Sequence, residues 1–171
     1  MAAKKTFQIE RLMSGGLITN YFCTSRCRHC LYNCSPRWPK IFITAETARR
    51  NFRKIQSLGC RAVHIGGGEP LLRPESLAEV LEEAACVGMH IDYVETNSAW
   101  YRGADSAAGI LSRLKKHGLH TLLISISPFH NEHVPFARVE GVIAAARRTG
   151  IRRFPWVEGF IADLKRFDPR Q

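Results

Sequence analysis

Leu58-Gly59-Cys60-Arg61-Ala62-Val63-His64-Ile65-Gly66-Gly67-Gly68-Glu69-Pro70 is the stretch from which the fold can be read. Upstream of it, Phe52, Ile55 and Leu58 recur at helical spacing behind Thr44, a residue suited to capping a helix N-terminus. Gly59 then closes the segment, since glycine most readily takes the left-handed conformation just past a helix end. The apolar run Ala62-Val63-His64-Ile65 follows at once and gives way to three glycines, an acid and a proline. The stretch therefore reads as helix end, strand and loop.

The same order recurs downstream. Gly88, Gly118 and Gly150 follow at successive intervals of 29, 30 and 32 residues, about the length of one strand, one helix and two loops. Each precedes a short apolar run, at 91–94, 122–126 and 151–157, and an earlier run at 17–22 would be strand one. Leu77, Val80, Leu81 and Ala84 behind Pro74 repeat the helical period. Alternating βα units predict an α/β domain with a mainly parallel sheet, either doubly wound or curved into a partial barrel. Both architectures bind ligands at the C-terminal ends of the strands.

Every unusual polar cluster falls on that rim. After strand one comes Cys23-Thr24-Ser25-Arg26-Cys27-Arg28-His29-Cys30, and after strand two Gly66-Gly67-Gly68-Glu69-Pro70. Strand three ends in Glu95-Thr96-Asn97-Ser98, and strand four runs into Ser125-Ile126-Ser127-Pro128. Three thiolates spaced C-x3-C-x2-C can hold three corners of a cubane iron–sulfur cluster and leave the fourth iron open. A zinc site completed by His29 or Cys34, or a closed cluster with Cys34 as fourth ligand, also satisfies the spacing.

Composition narrows the setting. A chain of 171 residues, 45% apolar and 23% charged, predicts one globular domain. No apolar run approaches the roughly 20 residues that cross a bilayer, and Lys4 and Lys5 have no apolar stretch behind them, so neither a membrane span nor a signal peptide is predicted. A reducing, cytoplasmic setting follows, in which the six cysteines bind metal or stay free. Cys60 and Cys86 are predicted to be inert buried thiols. The charge of +10 is spread over short groups such as Arg49-Arg50 and Arg147-Arg148, which read as solvated helix surface, with a nucleic-acid-binding face as the second reading.

Together these residues resemble the radical S-adenosylmethionine (radical SAM) superfamily, whose hallmark is the C-x3-C-x2-C loop after the first strand of a partial βα barrel. Gly67-Gly68-Glu69-Pro70 resembles the family's GGEP motif, and its loop begins at Gly66, 36 residues beyond Cys30. Thr96-Asn97-Ser98 resembles its TNG segment with serine in place of glycine, and Ser125-Ile126-Ser127 resembles an S-φ-D segment with serine in place of the acid. The resemblance implies a [4Fe-4S] cluster on Cys23, Cys27 and Cys30, and S-adenosylmethionine held by Gly67, Gly68, Glu69, Pro70, Thr96, Asn97 and Ser125. It assigns Glu69 to the cofactor's ammonium group and not to the fold. His29 fits an adenine contact or a plain surface residue, and Pro128-Phe129-His130-Asn131-Glu132-His133 fits a substrate-facing loop or an exposed turn.

The implied reaction is reductive cleavage of S-adenosylmethionine to a 5′-deoxyadenosyl radical that takes hydrogen from a substrate the sequence does not specify. A reductant such as a flavodoxin or ferredoxin is implied as partner. The resemblance implies a radical SAM partial barrel over 15–160, between a lead-in at 1–14 and a polar end at 161–171. About five βα units are predicted, with the sixth missing, which leaves an open sheet edge for a partner chain and predicts weak cofactor binding. The alternatives are an iron–sulfur or zinc module with Cys34 as fourth ligand, or a truncated, inactive fragment.

Overall fold

The computed structural model describes residues 10–154. Its elements are β1 (Gly15–Ile18), α1 (Ala45–Ser57), β2 (Ala62–Gly66), a 3-10 turn (Pro70–Leu72), α2 (Pro74–Cys86), β3 (His90–Thr96), α3 (Ala104–Lys116), β4 (Thr121–Ile124), α4 (Pro128–Asn131), α5 (Phe136–Arg148) and β5 (Arg152–Phe154). Thr44 caps α1 by accepting from the Thr47 N–H, and the four helix-closing glycines all adopt positive φ, between 64° and 106°.

Among the described residues all strand pairs are parallel, and the sheet order is β1-β2-β3-β4-β5. No connection skips a strand or reverses direction, so the chain winds one way as in a βα barrel; a doubly wound sheet would reverse at a switch point. The core lies between the sheet and its helices. Val63, Ile65, Val94, Leu122 and Ile124 meet Phe52, Leu77, Leu81, Leu111 and Leu114, and all are buried. Each such side chain contributes about 1.5–3 kcal/mol on burial.

A bulge in β3 decides what the other face of the sheet carries. Val63 pairs with Ile91 but Ile65 pairs with Val94, so β3 takes three steps where β2 takes two. The extra residue resets the alternation: Ile91 and Val94 both serve the helix side, while Tyr93 and Glu95 both line the cavity at the strand ends. Without the bulge both would share the helix-side face of Ile91.

Several boundaries differ from the predictions. Strand one is Gly15–Ile18 and not 17–22, because the chain leaves the sheet after Thr19, whose N–H still reaches the Gly66 carbonyl at 2.9 Å. Asn20 then turns the backbone by donating from Nδ2 to the Phe22 carbonyl at 2.8 Å. Hydropathy also missed Gly16, where an added Cβ would meet the His64 ring at 2.5 Å. Strand four ends at Ile124; Ser125 N–H donates to the Thr96 carbonyl at 2.8 Å before Ser127 caps α4, so the predicted loop at 128–133 begins as a short helix. Cys60 is buried as predicted, but Cys86 is exposed because the last turn of α2 rotates it off the apolar face.

β5 supplies Arg152–Phe154 of the predicted fifth run. Positions 155–157 of that run, the region of a sixth unit, the polar end 161–171 and residues 1–9 lie outside the described residues. Among the described residues no helix is long and apolar enough to cross a membrane.

Candidate active site

The loops at the C-terminal ends of β1–β4 converge on a cavity of about 520 Å³. Cys23, Cys27 and Cys30 line it, as do Gly67, Gly68, Pro70, Thr96, Asn97 and Ser125. Of the residues predicted for the site, Glu69 alone does not reach the cavity wall.

The cysteine loop is tied down sulfur by sulfur. Cys23 is buried, and its Sγ accepts from the Ser25 N–H at 3.3 Å and from Asn97 Nδ2 at 3.2 Å. Cys30 Sγ accepts from the Cys34 N–H at 3.3 Å. Donors aimed at sulfur stabilise its thiolate form, the form that ligates iron. Burial opposes ionisation and raises the Cys23 thiol, and it pushes Cys27 up to about 11, helped by the neighbouring Cys23 and Cys30. Three mutually repelling thiolates with sulfur-directed donors suit a cationic iron core. Among the described residues, no three His, Cys, Asp or Glu side chains converge closely enough to hold one metal ion.

Cys34 also lines the cavity, beside Cys30; burial and Cys30 together push its thiol up to about 12. On the other side, α4 closes over the loop. His29 packs against Phe129 with ring centroids 4.8 Å apart and meets the edge of His130 at 4.8 Å, while Arg28 lies over the Phe129 ring and pairs with Glu132. His29 remains exposed, yet it lines the cavity and packs against α4. Ser127 Oγ lies 2.7 Å from His130 Nδ1 and caps α4, the role it takes in place of the acid of the S-φ-D pattern. Burial lowers His130 to about 4, with His29 and His133 adding to the effect, so its imidazole is neutral near pH 7.

The glycines after β2 have a structural cause. A Cβ on Gly68 would lie 2.1 Å from the Phe22 carbonyl oxygen, and one on Gly67 would lie 2.7 Å from the Asn20 carbonyl oxygen. The two loops cross backbone against backbone, and the Gly68 N–H donates to Asn20 O at 2.7 Å. Side chains there would displace the segment that begins the cysteine loop.

The prediction that Glu69 serves the cofactor and not the fold leaves out a fold role that the structure shows. Its side chain is fully buried, and its carboxylate accepts from Leu71 N–H at 3.0 Å, from Asn97 N–H at 2.6 Å and from Thr96 Oγ1 at 3.0 Å. It joins the loop after β2 to the end of β3. Burial raises it to about 7 against the pull of these donors. Thr96 Oγ1 in turn accepts from the Ser98 N–H and Trp100 Nε1, so Glu69, Thr96 and Asn97 form one buried network whose outer member reaches Cys23. Ser98 sits at φ 69° with a buried hydroxyl that has no partner.

Sequence reasoning gave Asn20, Ser25 and Tyr93 no role of their own, and named Glu95 and His130 only as members of the strand-three cluster and of the 128–133 loop. Strand-end position marked Glu95, but without the bulge nothing assigned its face.

The sequence profile of the radical SAM superfamily matches residues 17–164. GTP 3′,8-cyclase of Aquifex aeolicus (strain VF5) is 28% identical over 166 residues, covering 85% of this chain and 49% of the relative. The chain therefore spans about half the length of that curated relative. Among solved structures, native anSMEcpe with bound AdoMet superposes with a TM-score of 0.60 at 17% identity, over 83% of this chain and 42% of the other. Methylornithine synthase (PylB) gives 0.59 at 16% identity, over 84% and 44%. At such identities the structural likeness bears on the fold, a partial barrel in both cases.

Proposed function

Because this chain belongs to the radical SAM superfamily, we propose that Cys23, Cys27 and Cys30 hold a [4Fe-4S] cluster and that the adjoining cavity takes S-adenosylmethionine. When bound, this pair supplies a 5′-deoxyadenosyl radical that removes a hydrogen atom from the substrate. The observation that carries the reading is the meeting of the three thiols with Gly67, Gly68, Pro70, Thr96, Asn97 and Ser125 around one cavity.

The chain's own groups have separable tasks. Asn97 and Ser25 orient the Cys23 sulfur, and the Cys34 N–H orients that of Cys30. Gly67 and Gly68 line the cavity without side chains, so the cofactor can come close to their backbone, with Glu69 fixing the loop from behind. The buried Ile126 and α4 wall one side of the cavity, which limits the access of water to a radical. We take 15–160 as the partial-barrel domain. A cytoplasmic setting with a flavodoxin or ferredoxin as electron donor suits the six free thiols.

Anaerobic reconstitution followed by dithionite and S-adenosylmethionine tests the proposal. Close to four irons per chain and formation of 5′-deoxyadenosine and methionine are expected. Iron loading without any cleavage of the cofactor would overturn it and favour the second reading, a closed electron-transfer cluster, which the placement of Cys34 beside Cys30 keeps open.

A further inference from the structure

The cavity carries an unusual charge pattern for so basic a chain. The protein has a net charge of +10, yet no Lys or Arg lines the cavity, and Glu95 is its one carboxylate among the described residues. Glu95 also differs from Glu69. Its carboxylate receives no hydrogen bond from any described residue; its one ion-pair contact is His64 Nε2, 3.7 Å from Oε1. The side chain is 29% exposed, and that exposure opens onto the cavity.

Its neighbours are aromatic. Tyr93, next but one on the bulged strand, stacks on His64 with ring centroids 5.2 Å apart and planes 10° from parallel. Phe154 on β5 stands 6.1 Å from Tyr93, and Tyr32 from the cysteine loop completes the wall. Register puts Glu95 beside Leu123, which pairs with Phe154, so carboxylate and rings occupy adjacent rungs of one face. Gly66 makes room for the acid: a Cβ there would lie 2.9 Å from Glu95 Oε2. Burial raises the Glu95 carboxyl and His64 pulls it back. A carboxylate with free acceptor positions, walled by π faces in a cavity that no Lys or Arg lines, is the chemistry that recognises an organic cation.

We propose that Glu95, with Tyr93, Tyr32 and Phe154, is the substrate-recognition site and takes a substrate bearing an ammonium or guanidinium group. The inference rests on the radical SAM reading for its statement that the occupant is the substrate. The bulge in β3 is then functional, because it turns the face shared by Tyr93 and Glu95 from the helix side, where Ile91 lies, to the cavity.

n-Butylguanidinium and its neutral isostere n-butylurea, titrated at pH 7 into the reconstituted protein holding S-adenosylmethionine, test the site with direct binding as the readout. The guanidinium should bind about 10-fold or more tightly than the urea, as a charge-assisted contact requires, and Glu95→Gln should reduce the preference to about 2-fold or less. Glu95→Gln should leave the affinity for S-adenosylmethionine and the thermal midpoint unchanged. Equal binding of the two probes, no binding of the guanidinium up to roughly 10 mM, or a preference that survives Glu95→Gln would overturn the proposal. So would a loss of about 10-fold in S-adenosylmethionine affinity in the variant, which would give Glu95 to the cofactor. Because binding is read without turnover, a failed 5′-deoxyadenosine assay would count against the cofactor chemistry alone, and a lost probe preference against this site alone.

Discussion

Replacing Glu69 with alanine should destabilise the protein before any cofactor is present. The carboxylate accepts from two backbone N–H groups, Leu71 at 3.0 Å and Asn97 at 2.6 Å, and from the Thr96 hydroxyl, all in a fully buried setting. Alanine leaves the two N–H donors without an acceptor. Each stranded donor costs about 1–3 kcal/mol, and relief from burying the carboxylate offsets part of that, so a net loss of about 3 kcal/mol is expected. For a chain of this size that lowers the thermal midpoint by about 6–12 °C. The pH dependence has a definite sign. Because burial raises the folded-state value from 4.5 to about 7, the folded protein holds a proton that the unfolded chain releases. This contribution is fully present below pH 4.5 and is lost as pH rises through 7, amounting to about 3 kcal/mol at most. Urea denaturation of the cluster-free protein at pH 5 and pH 8, for wild type and Glu69→Ala, measures both effects, with Glu95→Gln as the control carboxylate. A loss below about 1 kcal/mol in Glu69→Ala, or the same loss in Glu95→Gln, would refute the reasoning.

Ser98→Gly should stabilise the protein by about 1–2 kcal/mol, because it relieves a left-handed residue and removes a buried, unpartnered hydroxyl; a lowered thermal midpoint would contradict this. Gly68→Ala should cost about 3 kcal/mol or more and lower iron loading, since its Cβ would collide with the Phe22 carbonyl oxygen 2.1 Å away; iron analysis beside a denaturation curve checks both. In the cluster-free folded protein, a thiol reagent should modify Cys86 rapidly and Cys60 only after unfolding, and peptide mapping by mass spectrometry gives the order.

The parallel order of the strands was legible because Gly59, Gly88, Gly118 and Gly150 mark helix ends at nearly even intervals, and each does close a helix. The cavity was legible because its cysteines, glycines and polar triplets all follow strand ends. What stayed hidden depends on contacts between segments far apart in sequence. The bulge in β3 breaks the alternation by one residue, and Ile91 and Val94, three apart, are its trace in the sequence. Glu69 reads as a ligand because a carboxylate in a glycine-rich loop suits one; that it also ties Leu71 to Asn97 shows only in the fold. Gly16 owes its identity to His64, 48 residues away in sequence, which no local pattern could reveal.

The central claim is a cluster on three cysteines with one iron open to S-adenosylmethionine. Electron paramagnetic resonance of the reduced, reconstituted protein, with and without S-adenosylmethionine, tests it on wild type and on single alanine variants of Cys23, Cys27, Cys30 and Cys34. The account predicts loss of the [4Fe-4S] signal in the first three variants. It predicts retention in Cys34→Ala, with a spectrum that shifts on adding S-adenosylmethionine as it does in wild type. Loss of the cluster in Cys34→Ala, or a wild-type spectrum indifferent to S-adenosylmethionine, would contradict the account.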